Sequence, residues 1–409
     1  MGFDPSERVV EIRARLEAFM DKHIFPREHE YEEFVTDQNN LWKTPPFVRD
    51  LRAKAREQGL WNLFLPEEYK PWSLGLTNVE IAHIFETMSR VTWAQTIFNC
   101  NAPDRGNMEV LAKYGSKEQQ EKWLRPLLDG KIRSAYAMTE PQVASSDATN
   151  MELEIKRDGD EYVLNGRKWW TTGVVSPDCK IMLVMGKSNP ENDRHTQHST
   201  ILVPTDTPGF KVERALKVFG GYHSPGGEGD SSFSDVRVPV ENMIKGEGCG
   251  FEIAQGRLGP GRFQYAMTFV GLAQRCLELM CERATQRVAF GETLNAKTSV
   301  QHEIARSRCD IEQCRLLVLE AADKMDREGP NGAKEHISMV KIVGPRMAEK
   351  VASRAIQVFG GMGVSQDTLL PDVFNHARFC RIADGPDEVH MSQLGKLTIR
   401  RVLSELSNG

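Results

Sequence analysis

The spacing of apolar residues changes twice along this chain of 409 residues, and those two changes restrict its fold more than any other feature. At the start, Val9, Ile12, Leu16 and Phe19 recur at three- and four-residue steps up to Pro26, the pattern of one amphipathic helix with a defined stop. Thr77 with Glu80 and Ser116 with Gln119 match the capping box, in which a hydroxyl and a carboxyl or amide satisfy free donors at a helix start. Two more helix starts are thereby predicted. From Ser134 the period shortens. The runs 135–139, 153–156, 161–164, 167–172, 180–185, 199–203 and 231–238 are short, β-prone and separated by turn residues. They predict a β domain of about seven strands, with Asp158-Gly159 as a tight hairpin and the polar stretch from Asn189 to Gln197 as a mobile loop. After Pro239 helical spacing returns, through Phe263 to Met280, Val300 to Leu319 and Ile337 to Phe359, the last expected to bend at Pro345. Segregated blocks of helices, strands and helices argue for an α+β fold rather than an alternating parallel sheet.

Composition matters mainly for what it excludes. Lys plus Arg is 52 against 57 Asp plus Glu, a net charge of −5 that provides no global field for a phosphate backbone. Nucleic acid is therefore not an expected partner. No stretch approaches the ~20 apolar residues of a spanning helix, and the N-terminus lacks the apolar core of a secretory signal. The eight cysteines show neither a CxxC pair nor the spacing of a zinc set, so a reducing compartment and no bound metal are expected. Ser407-Asn408-Gly409 is not a peroxisomal tripeptide. Cytoplasm is the expected location, with the mitochondrial matrix or peroxisome as the alternative for a trimmed precursor.

The common nucleotide motifs fail. Gly246 and Gly248 begin a GxGxxG pattern that has Phe251 at its third position and follows the β block instead of opening a βαβ unit. His195 and His198 lie in a polar stretch without ligand partners and read as solvated loop histidines. No GxSxG elbow is present.

Three separated segments carry the chemistry: YAMTEPQVASSD (136–147), RKWWTTG (167–173), and FGGMG (359–363) followed by RIADGPDEVH (381–390). In this order they resemble the acyl-CoA dehydrogenase family, and the likeness spans nearly the whole chain. The ADGPDEVH ending resembles a subgroup with aspartate as the base. The resemblance implies an N-terminal α-helical domain (1–133), a middle β-barrel or sandwich domain (134–241) and a C-terminal four-helix bundle (242–409). It also implies bound FAD, with oxidation of an acyl-CoA to its trans-2-enoyl-CoA as in fatty acid β-oxidation. Electrons would pass to an electron-transferring flavoprotein.

The same likeness assigns residues. Met138, Thr139, Ser145, Ser146, Trp170 and Thr172 would cover the flavin ring. Trp170 and Thr172 are two apart on a strand and so face one way, one to pack on a ring and the other to bond its polar edge. Taken alone, Trp169-Trp170 reads more readily as sheet core. Arg287 with Phe290, and Gln357 with Gly360 and Gly361, would reach the cofactor's phosphates and adenine from a neighbouring subunit, which implies a homodimer or homotetramer. A guanidinium fork suits a pyrophosphate, and glycines let backbone amides approach anionic oxygens. Asp384 would remove the substrate's α-proton, a task suited to a positioned, partly desolvated carboxylate. Its backbone N–H, with a flavin ribityl hydroxyl, would polarise the thioester carbonyl. Arg262 would lie near the CoA tail, with Gly259 where the family often has an acidic contact. Asp387 and Glu388 read as solvated or helix-capping. Two rival functions remain at this stage. One is a flavin oxidase of the nitroalkane oxidase type, with an aspartate base and O2 as acceptor. The other is a non-catalytic scaffold associated with acyl-CoA or nucleic acid.

Overall fold

The computed structural model describes residues 3–408, apart from the side chains of 258–260 and 408. The first apolar row is buried on α1 (Glu7–Phe19), where Val9, Ile12, Leu16 and Phe19 all face the core and the Ser6 hydroxyl accepts the Val9 N–H as a cap. Pro26 sits in a 3-10 turn after a π turn, so the chain is redirected and continues as α2 (Glu28–Thr36). The helical layer is completed by α3 (Pro46–Glu57), α4 (Asn78–Met88), α5 (Asp104–Tyr114) and α6 (Lys117–Gln119), the last running through a π turn into α7 (Arg125–Leu128). Both expected capping boxes form in full at Thr77 and Ser116.

The strands are β1 (Arg133–Ala137), β2 (Glu154–Asp158), β3 (Glu161–Thr172), β4 (Cys179–Lys187), β5 (His198–Pro204), β6 (Phe210–Leu216) and β7 (Glu228–Pro239). They make one mixed sheet in the order β1-β4-β2-β3-β7-β6, with β5 also on β4. The Asp158-Gly159 hairpin joins β2 to β3. The runs 161–164 and 167–172 are a single strand, stepped in register at Gly166. A side chain there would meet the Leu153 backbone at 2.9 Å. Strand β6 had no clear sequence signal, because it lies at the sheet edge and buries only Leu216. The loop after β4 is not loose. Ser188 and Asn189 both donate to the Gln197 carbonyl, and Arg194 bonds Asp147 and Thr149. His198 corrects the solvated reading: it opens β5 fully buried, with Nε2 2.9 Å from the Met151 carbonyl. Only His195 stays exposed, its ring against Phe251.

Helices resume with α8 (Gly250–Gln286), followed by a small hairpin of β8 (Val288–Ala289) and β9 (Glu292–Thr293). Then come α9 (Thr298–Gly332), α10 (Lys334–Phe359), α11 (Leu370–Cys380) and α12 (Asp387–Asn408). α10 occupies the middle of this bundle, packed on α8, α9, α11 and α12. It runs through Pro345 as one helix, whereas the backbone break falls in α9 at Gly329, just before Pro330. Sheet and helices are fused by alternation on β4 and β5: Ile181, Leu183 and Leu202 enter the helical core, while Met182, Val184, Ile201 and Val203 fill the sheet's own core. None of the described helices is long and apolar enough to cross a membrane.

Candidate active site

A cavity of about 1330 Å³ lies between the sheet and the bundle. Met138, Thr139, Ser145, Ser146, Trp170 and Thr172 line it from the sheet side, and Arg262 and Asp384 from the helical side. Eight residues named from sequence are thus brought to one space.

The sheet wall owes its shape to a bulge. On β3 the pairing steps from Lys168 opposite Ser231 to Thr171 opposite Gly229, so Trp169 and Trp170 together face one residue of β7. Trp170 takes φ 52° at this point. The bulge cancels strict alternation, and Trp169 joins Trp170 and Thr172 on the cavity while Thr171 is buried. Simple two-residue periodicity therefore missed Trp169. The Trp170 ring lies 6.2 Å from Phe379 of α11, which ties this wall to the segment bearing Asp384.

Beneath the wall is an ion pair with no sequence signature. Lys168 and Glu140 are 0% and 2% exposed, with Nζ 2.7 Å from Oε1. Lys168 also donates to the Met138 carbonyl, and Glu140 accepts the N–H groups of Glu152 and Leu153. Burial pushes the Lys168 pKa down to about 8 against the opposing pull of Glu140. This pair fixes Met138 and Thr139 from below. The Ser145 hydroxyl accepts the Glu140 N–H at 2.9 Å and so closes its own loop. The Ser146 and Thr172 hydroxyls have no hydrogen-bond partner among the described residues and are available to a ligand.

Asp384 lies in the turn between α11 and α12, with φ 54°, followed by Gly385 with φ 94°. Aspartate tolerates this left-handed region better than most residues. Glycine is required next, because a Cβ at Gly385 would stand 2.8 Å from His390 Nε2. The turn is closed by Ile382 and Ala383 N–H on the Phe379 carbonyl and by Asp387 N–H on Arg381. The Asp384 N–H has no hydrogen-bond partner among the described residues. Its carbonyl accepts from Arg262 and His390, at 3.5 and 3.3 Å. Arg262 thus braces the base turn as well as lining the cavity, whereas the side-chain surroundings of Gly259 lie outside the described residues. The partly desolvated setting expected for Asp384 is not built in: the residue is exposed to the open cavity, and bound ligands would have to displace water from it.

Asp387 departs from its solvated reading. It is 2% exposed and pairs with Arg346 and Arg381 at 2.8 and 2.9 Å. Burial alone would raise its pKa, but the two guanidiniums outweigh burial and hold the carboxyl below its ordinary value. Glu388 is exposed, as expected. His390 was not anticipated: buried beside Asp384, it is pushed down to about 4 by burial and by the charges of Arg262 and Lys341. The unfolded chain takes up this proton near 6.5 and the folded chain only near 4, so His390 makes stability fall as pH drops through that window. Thermal midpoints measured from pH 7 to pH 4 are expected to decline less steeply in His390→Gln than in the parent. Equal slopes would place the acid sensitivity elsewhere.

Arg287, Phe290, Gln357, Gly360 and Gly361 do not line this cavity. All five are exposed, Phe290 almost completely, at the ends of α8 and α10. The two segments are neighbours, with the Arg283 guanidinium 5.5 Å from the Phe359 ring centre. One chain therefore holds the expected cofactor residues in two separate groups.

Comparison with known proteins agrees with this layout. The chain matches the family models for the acyl-CoA dehydrogenase N-terminal domain over residues 6–131, the middle domain over 135–236 and the C-terminal domain over 248–398. It is 50% identical over 397 residues to acyl-CoA dehydrogenase family member 11 of Homo sapiens, covering 95% of this chain and 50% of that protein. It is 46% identical to FadE2 of Mycobacterium tuberculosis, named a probable acyl-CoA dehydrogenase, with 98% of both chains covered. A solved structure from Mycobacterium abscessus, whose name places it among the acyl-CoA dehydrogenases, superposes with TM-score 0.94 at 48% identity, over 98% of this chain and 100% of that one. The chain spans about half the length or less of the animal and plant relatives it matches.

Proposed function

The chain belongs to the acyl-CoA dehydrogenase family, and from that premise we propose that it oxidises an acyl-CoA thioester to the trans-2-enoyl-CoA, with FAD as cofactor and Asp384 as base. One observation carries this reading: Asp384, an exposed residue, lines the same cavity as Trp170 and Thr172 of β3. At about 1330 Å³ that cavity exceeds the ~300–1,000 Å³ of an ordinary small-molecule site and suits two ligands side by side. The chain's donors fit a flavin. Ser146 and Thr172 line the cavity with hydroxyls that have no partner among the described residues, and Trp169 and Trp170 add aromatic surface beside them. Met138, Thr139, Ser146, Trp170 and Thr172 would hold the ring system, and the group would supply the hydride acceptor. Asp384 would take the α-proton through its carboxylate and steady the thioester oxygen through its unpartnered N–H.

Arg287, Phe290, Gln357, Gly360 and Gly361 would complete the site of a second copy, which makes the active form at least a dimer. Arg287→Ala is expected to lower the flavin-to-protein ratio or weaken the assembly. Full occupancy in an unchanged assembly would reject the shared site.

The deciding experiment is anaerobic titration of the flavin-loaded protein with acyl-CoAs of differing length and branching. Buried Gln95, Arg105 and Thr268 add polar groups to the cavity wall, so the panel should include hydroxylated acyl groups. Bleaching by an acyl-CoA, with no peroxide released in air, supports a dehydrogenase served by an electron-transferring flavoprotein. Peroxide formed with a nitroalkane, and no bleaching by any thioester, would favour the oxidase.

A further inference from the structure

We propose that Lys341 is a positioning residue that holds the Asp384 turn in its working shape by clamping both ends of the turn through the backbone. The idea rests on the reading of Asp384 as base. Lys341 sits inside α10, among Ile337, Val340, Gly344 and Ala348, and is 1% exposed. A helix buried on this face has no packing reason to carry an ammonium, which is costly to remove from water. No carboxylate oxygen lies within 4 Å of it among the described residues, so it is not half of an ion pair. Its Nζ donates instead to the Cys380 carbonyl at 2.6 Å and the Gly385 carbonyl at 3.2 Å.

Those two carbonyls bracket Asp384. Cys380 is the last residue of α11, where free carbonyls and the helix dipole favour a cation. Gly385 follows Asp384, and both have left-handed backbones. Glycine takes this region freely, but Asp384 does so at a backbone cost that its surroundings must offset. From the other side, Arg381 and Arg346 grip Asp387, and Arg262 and His390 reach the Asp384 carbonyl. Lys341 is the inner support, and its two bonds join the exit of α11 to the residue after the base. Without it the buried Cys380 carbonyl and the part-buried Gly385 carbonyl lose this donor, and the turn relaxes toward ordinary dihedrals. The carboxylate then moves, while the sheet wall and the rest of the cavity stay in place. A displacement of about 1 Å at a reacting group costs roughly 100-fold in rate.

The test uses flavin-loaded parent, Lys341→Met and Lys341→Gln, the glutamine keeping one donor. Hydrogen exchange of the segment 380–387, measured without substrate, is expected to quicken in Lys341→Met, with segments of α8 and β3 unchanged, and to recover partly in Lys341→Gln. With an acyl-CoA that bleaches the parent, Lys341→Met should reduce its flavin about 100-fold more slowly at unchanged flavin content and unchanged substrate dissociation constant. Unchanged exchange at 380–387 overturns the proposal, and so does a rate loss matched by an equal loss of flavin or substrate binding. If no acyl-CoA bleaches the parent, the base assignment falls, but the exchange result still decides whether Lys341 holds the turn. Should Lys341→Met not fold, Lys341→Gln carries the exchange measurement, with an intermediate quickening expected.

Discussion

Asp384→Asn keeps its flavin and slows bleaching by an acyl-CoA by about 10³-fold or more, the scale of a lost general base. The substitution suits this position because asparagine, like aspartate, tolerates a φ near 54°. Alanine would add backbone strain to the loss of the carboxylate and confuse the two effects. The side chain makes no hydrogen bond to another described residue, so its loss disconnects no network. Arg262 and His390 bond the backbone carbonyl, which asparagine retains. Flavin content, the visible spectrum and the unfolding midpoint should therefore match the parent, with the change confined to the anaerobic reduction rate. A variant that bleaches at the parental rate would remove Asp384 from the chemistry.

Glu140→Leu is expected to be the most destabilising single change, at about 3–5 kcal/mol, the cost of leaving one member of a buried pair uncompensated. Lys168 would then be enclosed with only the Met138 carbonyl, and the N–H groups of Glu152 and Leu153 would lose their acceptor. Chemical denaturation of the flavin-loaded protein reads the effect as a lower midpoint. Flavin affinity should fall with it, because Met138 and Thr139 rest on this pair. The double variant Glu140→Leu with Lys168→Met should lose less than the two single losses together, since no charge remains buried. Strict additivity would mean that the two side chains do not act as a pair.

The parts of this molecule that were legible in advance are those whose causes are local. The buried row of the first helix, both capping boxes and the Asp158-Gly159 hairpin depend on residues within a few positions of each other and formed as expected, although the helical run continues through Pro26 instead of stopping there. Edge strand β6 was not legible because its outer face is solvated and its alternation faint. His198 misled for a related reason, since its neighbours on one side are polar loop residues and on the other a fully buried strand.

Within the cavity the motif residues of the sheet wall and Asp384 assembled, but the groups that hold them were silent. Lys168 reads as any strand lysine until Glu140 is found 2.7 Å away across 28 positions. Asp387 reads as a helix cap until Arg346, 41 positions earlier, closes on it. The bulge that turns Trp169 into the cavity is a property of pairing with β7. Periodicity and motif order were enough to determine the succession of helices, strands and helices, and which residue types carry the chemistry, because both are set by short-range sequence. Which charges are buried, which atoms lack partners and which group braces the base were decided only when distant segments packed, because burial and desolvation exist only between segments.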